Sequence, residues 1–101
     1  MFYIYILKSI SSNIYYVGYT SNYQKRLDEH NTTDLNTFTS KHRPWKLEAV
    51  FECGIIEKNA INIERFIKKQ KSRKLIEQIC DENFIPVDVL EQLVRVPDIR
   101  D

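Results

Sequence analysis

Phe2-Tyr3-Ile4-Tyr5-Ile6-Leu7, followed a short step later by Ile14-Tyr15-Tyr16-Val17-Gly18, decides how this chain is read. Both runs are β-branched and aromatic, the composition of strands. Ser9 to Ser12 with Asn13 is turn-rich, so the two runs form an antiparallel hairpin. With Ser9–Ser12 as the loop and Lys8 opposite Asn13, Tyr5 faces Tyr16 across the strands and Tyr3 faces Gly18. A slip by one residue would send Tyr16 to the other face. Four of the 6 tyrosines (Tyr3, Tyr5, Tyr15, Tyr16) fall in the first 16 positions. Aromatic packing on strands accounts for any one of them; the rest of the chain decides whether two of them are chemical.

Outward from the hairpin, Ser21-Asn22-Tyr23-Gln24 has the form of a capping box, with Ser21 as cap. It predicts a short helix to about His30 or Asn31, with Tyr23 and Leu27 inward and Arg26 and His30 sharing a second face. Residues 31–44 are polar and read as an exposed loop carrying Lys41-His42-Arg43, closed by Pro44. Trp45 to Cys53 reads as a third strand. Asn59 to Lys71 reads as a helix with Ala60, Ile63 and Ile67 inward, and Ser72 caps another helix running to Ile79 or Cys80. After Pro86, Val87, Leu90, Leu93 and Val94 predict a last short helix in the extension 81–101. The fold class is α+β: a small, three-stranded, mainly antiparallel sheet flanked by helices.

Composition narrows the function classes. At 101 residues the chain is one domain, and 43% hydrophobic with 29% charged residues is that of an ordinary globular protein. No apolar stretch is long enough to span a bilayer, and the first apolar run lacks the basic flank of a signal peptide. Cys53 and Cys80 make neither a disulfide framework nor a CxxC site, so a reduced, cytoplasmic setting is expected. The net charge of +1 conceals an asymmetry: residues 1–80 carry 13 Lys/Arg against 8 Asp/Glu, residues 81–101 carry 2 against 6. The densest basic block, Arg65 to Lys74, contains no acid. A solvated helix face would look the same, yet on a basic body the block favours a polyanionic partner.

Glu64 is the residue that a simple core helix does not explain. Three of its four neighbours one turn away, Ala60, Ile61 and Ile67, are apolar, and the fourth is Lys68. A carboxylate there costs free energy unless paired or bound to a cation. An ion pair with Lys68 is one solution; a hard divalent cation, which often takes one or two carboxylates and keeps its waters for phosphate, is the other. His30 and His42 have no partners at zinc-ligand spacing, and no glycine-rich phosphate loop is present.

Taken in order, Tyr3-Ile4-Tyr5, Tyr16-Val17-Gly18 with Thr20, Arg26-Leu27-x-x-His30 and Glu64 on a later helix resemble the GIY-YIG nuclease superfamily, in its small single-domain bacterial form. Arg43-Pro44-Trp45-Lys46-Leu47 and Ile67-Lys68-Lys69-Gln70-Lys71-Ser72-Arg73 extend the resemblance over roughly residues 2–80, the expected nuclease domain being 1–80. Tyr3 stands where the family has its first glycine. The resemblance implies phosphodiester hydrolysis with one metal ion, Mg²⁺ or Mn²⁺, held by Glu64. It implies Tyr16, or else Tyr5, as general base, Arg26 as the neutraliser of transition-state charge, and His30 as a positioning or relay group. A free phenol, with its pKa of about 10, would be drawn toward the phenolate by Arg26 and the metal.

Nucleic-acid contacts are expected from Lys41, His42, Arg43, Trp45, Lys68, Lys69, Lys71 and Arg73, mostly to phosphate. The partner is nucleic acid, DNA in preference to RNA, and DNA repair is the suggested setting. With no recognition module in view, the expected activity is non-specific or structure-selective. Two other classes stay open: a nucleic-acid-binding domain with a weak site, and a protein-interaction domain using the extension.

Overall fold

A computed structural model describes residues 1–32, 38–97 and 99. In chain order it contains β1 (Tyr3–Ser9), β2 (Tyr15–Thr20), α1 (Tyr23–Thr32), a 3-10 turn (Thr39–His42), β3 (Trp45–Glu52), α2 (Glu57–Gln70), α3 (Arg73–Cys80), a second 3-10 turn (Asp88–Leu90) and β4 (Val94–Arg95). The strands form one antiparallel sheet in the order β2-β1-β3-β4. The expected α+β class holds, with four strands in place of three.

The hairpin forms where the sequence puts it, in a shifted register. Tyr5 pairs with Gly18, Leu7 with Tyr16 and Tyr3 with Thr20. Asn13 is the cause: it adopts a left-handed conformation (φ 54°), which asparagine tolerates better than most residues. The turn closes through Ser9 N–H to Ile14 O (2.8 Å) and Asn13 N–H to Ser9 O (3.1 Å), so the loop moves one residue along the chain. The shift is two residues, so Tyr5 and Tyr16 keep a common face, as the period of two requires.

One extra residue in β3 shapes the other side of β1. The register slips between Ile6↔Ala49 and Leu7↔Leu47, leaving Glu48 as a bulge. Beyond it Leu47 and Trp45 join the face of Tyr5, Leu7 and Val50, onto which Tyr23 and Leu27 of α1 pack. The opposite face carries Ile4, Ile6, Val17, Ala49 and Phe51 beneath Ala60, Ile63 and Ile67 of α2 and Ile79 of α3. The three inward positions expected of α2 are its three buried residues. Ser72 caps α3 as expected, its Oγ accepting from Leu75 N–H at 3.0 Å. The cap of α1 falls one residue later than expected, on Asn22, whose Oδ1 accepts from Lys25 N–H at 3.1 Å.

The extension after α3 is not the expected helix. Asp88 sits at φ 53°, the chain makes a single 3-10 turn, and Val94–Arg95 then pairs with Phe51–Glu52 at the edge of the sheet. Leu90 and Leu93 are buried in the cluster that holds α2 and α3. Arg95 donates to the carbonyls of Cys80 (2.8 Å) and Asp81 (3.1 Å), satisfying acceptors that the end of α3 leaves open. No helix among the described residues is long and apolar enough to cross a membrane.

Candidate active site

The site begins with a missing side chain. Gly18 lies opposite Tyr5, and a Cβ there would come within 2.5 Å of Tyr5 Cζ. Glycine therefore leaves the space that the Tyr5 ring fills. Tyr5 is 1% exposed, and its hydroxyl lies 2.9 Å from His30 Nε2. The Arg26 guanidinium reaches the same phenol oxygen from α1. Burial pushes the Tyr5 hydroxyl up to about 12, outweighing the pull of Arg26, so the phenol keeps its proton. Burial, helped by Arg26 and Arg43, holds His30 down at about 4, so the imidazole is neutral at physiological pH. A neutral imidazole either accepts from the Tyr5 O–H at Nε2 or donates to its oxygen, according to its tautomer, whereas Arg26 can only donate to the phenol. Arg26 does draw this phenol toward the phenolate, as a neighbouring cation should, but depth of burial outweighs it.

Tyr16, half-buried, stands beside this pair on the same face. Its ring meets His30 edge-on at 5.1 Å and Trp45 edge-on at 6.2 Å, and lies 6.4 Å from the Tyr5 ring. On the other side Lys68 Nζ sits 5.0 Å from the Tyr16 centroid, and the same ammonium pairs with Glu64 Oε1 at 3.3 Å. Glu64 is thus brought to the hairpin by α2, and its charge is felt at Tyr5 and Tyr19. Tyr5, Tyr16, Arg26 and His30 meet on the α1 face of the hairpin, and Lys68 links Tyr16 to Glu64 on α2.

Two further residues secure this geometry: Asn31, whose role the sequence did not suggest, and Arg43, expected there only as a nucleic-acid contact. Asn31 grips the start of β3 with both ends of its amide: Trp45 N–H donates to Oδ1 at 2.7 Å, and Nδ2 donates to Trp45 O at 3.0 Å. Arg43 donates through Nε to His30 O at 2.6 Å. Both contacts span more than a dozen residues, so no local pattern announces them.

The remaining basic candidates divide. Lys41, Lys69, Lys71 and Arg73 are exposed. Arg73 donates to Asn13 O at 2.7 Å and lies over the Tyr15 ring at 5.0 Å. His42 Nδ1 meets Ser12 Oγ at 2.8 Å, tying the 3-10 turn to the hairpin loop. Trp45 is a correction: it is 3% exposed and its indole N–H donates to Thr39 O at 2.8 Å, so it packs beneath Tyr16 and offers no surface for a base. A cleft of about 370 Å³ runs from Tyr15 and Tyr16 to Lys68, Lys71 and Arg73.

The donor set bears on a metal. Among the described residues no three His, Cys, Asp or Glu gather as a complete cage. Glu64 is a single carboxylate, 18% exposed, and a cation already stands against it in the form of Lys68. That fits a hard ion taking one carboxylate together with waters and substrate oxygens.

The chain matches the GIY-YIG catalytic domain over residues 1–77. It is 35% identical over 80 residues to a UPF0213 protein of Bacillus licheniformis, covering 79% of each chain. It is 33% identical over 73 residues to a UPF0213 protein of Fusobacterium nucleatum, covering 69% of this chain and 72% of that one. Tyr5, Tyr16 and Gly18, which give that motif its letters, are the residues that build the wall of the site: the chain belongs to the GIY-YIG family of nuclease domains.

Proposed function

We propose that the chain is a divalent-metal-dependent endonuclease that hydrolyses phosphodiester bonds in DNA in preference to RNA, non-specifically or by substrate structure. The observation that carries this reading is that Tyr16 meets Lys68, the partner of Glu64, on one side and the Arg26–Tyr5–His30 chain on the other. The free thiols of Cys53 and Cys80 fit a reducing cytoplasm.

Glu64 would hold one Mg²⁺ or Mn²⁺, which supplies Lewis-acid polarisation of the phosphate when bound. Tyr5, buried and protonated, is unsuited to be the base; it fixes Arg26 and His30. Tyr16, at the mouth, is the general base that takes the proton of the attacking water, with the His30 ring packed edge-on against it. The water oxygen bonds to phosphorus, and the opposite P–O ester bond breaks with its electron pair leaving on the sugar oxygen. Arg26 spreads its planar fork over the non-bridging oxygens, matching two acceptors and staying charged throughout. Lys41, Lys69, Lys71 and Arg73 contact flanking phosphates, contributing affinity that falls with added salt.

Purified protein incubated with plasmid and with single-stranded DNA, with Mg²⁺, Mn²⁺ or chelator, tests the reading. Metal-dependent cleavage that Glu64→Gln abolishes, with the fold retained by circular dichroism, is the expected outcome. Binding without cleavage under any metal would instead mark a nucleic-acid-binding domain.

A further inference from the structure

Lys68 makes two contacts that point in different directions. Its ammonium lies 3.3 Å from Glu64 Oε1, and it also stands 5.0 Å from the Tyr16 ring centroid. Glu64 is 18% exposed while Lys68 is 45% exposed, so the carboxylate is fixed in its recess and the lysine is the partner free to swing. The cleft into which it can swing is lined by Lys71 and Arg73, cations that suit a phosphate backbone.

We propose that Lys68 is a positioning residue that holds the place of the metal. In the free protein its ammonium occupies the cation position at Glu64 and prevents an unpaired carboxylate from facing apolar neighbours. When a divalent ion takes Glu64, the ammonium is displaced into the cleft and pairs with a phosphate flanking the scissile bond. One side chain thus opposes metal binding before substrate arrives and supports substrate binding afterwards. This rests on Glu64 as the metal ligand. A carboxylate–ammonium pair exposed to this degree is worth up to about 1 kcal/mol, roughly a fivefold effect on a competing cation.

The test is Mn²⁺ affinity, read by electron paramagnetic resonance without nucleic acid, beside affinity for a fluorescent oligonucleotide in chelator. Lys68→Gln is expected to bind Mn²⁺ roughly two- to fivefold more tightly and the oligonucleotide more weakly. Lys69→Gln, which removes an equal charge from the next position, is expected to weaken oligonucleotide binding and leave Mn²⁺ affinity unchanged. Unchanged or weaker Mn²⁺ binding by Lys68→Gln, or equal tightening by Lys69→Gln, would overturn the proposal. Glu64→Gln separates the two readings: if it leaves Mn²⁺ binding intact, Glu64 is not the ligand, and the metal assignment itself falls along with the role of Lys68.

Discussion

The two faces of β1 are equally dry and chemically opposite. Ile4 and Ile6 are 0% exposed under α2 and α3, within a cluster of buried hydrophobic side chains. Tyr5 is 1% exposed under α1, and its neighbours include a buried imidazole and a guanidinium. Burial alone therefore does not separate core from site in this fold. What separates them is whether polar atoms have been taken inside and satisfied, at a cost that an aliphatic side chain would have avoided. The α2 side stabilises the sheet; the α1 side spends stability on arrangement. If this division is correct, substitutions on the two faces must fail in different ways.

The largest separation is expected from Arg26→Ala. Arg26 is a solvent-facing residue of α1, paired loosely with Glu29 at 3.7 Å, so its loss barely touches the core. In the proposed mechanism its guanidinium meets the phosphate charge as it develops. Turnover should fall about 10²–10³-fold, the usual loss for one well-aimed donor, while affinity for a non-cleavable oligonucleotide changes only a few-fold. Equal losses in turnover and affinity would make Arg26 an ordinary phosphate contact. Single-turnover cleavage and anisotropy on the same preparation decide between them.

The matching change on the other face is Ile63→Ala. Ile63 is 2% exposed in the α2 cluster, and its truncation removes methyl groups and leaves a cavity. Urea unfolding should show a loss of about 3 kcal/mol, with turnover per folded molecule unchanged. A large drop in turnover with intact folding would mean that α2 transmits its packing to Glu64, and the two faces would not be independent.

How much of this was legible in the sequence follows the same division. The aliphatic face was read almost completely, because Ala60, Ile63 and Ile67 repeat with the helix period and that period is local information. The order of the site residues was also legible, through their resemblance to a known motif. Their geometry was not. The hairpin register moved by two because Asn13 went left-handed, a choice the turn composition permitted without dictating. The period of the tail, Val87, Leu90, Leu93 and Val94, suited a helix, but Asp88 broke it and the sheet offered β4 an edge. Trp45 and Tyr5 were open in the sequence for one reason: a sequence states what a side chain is, while depth is set by a bulge at Glu48 and a gap at Gly18. Depth decided both the role of the indole and the protonation of the phenol.

The smallest expected effect is also the most specific to the polar face. Burial, with Arg26 and Arg43 nearby, holds His30 at about 4 in the fold, against 6.5 for a free imidazole, while Glu29 pulls the other way. Below pH 6.5 the unfolded chain takes up a proton that the native imidazole refuses until about pH 4. The contribution of His30 is therefore complete above pH 6.5 and is lost as the pH falls toward 4, by roughly 2–3 kcal/mol at most. Carboxylates add their own slope in acid, so the informative quantity is the difference between proteins. Urea titrations across this window should show a shallower loss in His30→Gln than in the wild type, since glutamine has no proton to gain. Ile63→Ala should keep the wild-type slope from a lower starting point. If His30→Gln keeps the full slope, the imidazole is not held neutral by its surroundings. A protonated His30 would then have to donate to the Tyr5 phenol, since imidazolium has no acceptor nitrogen.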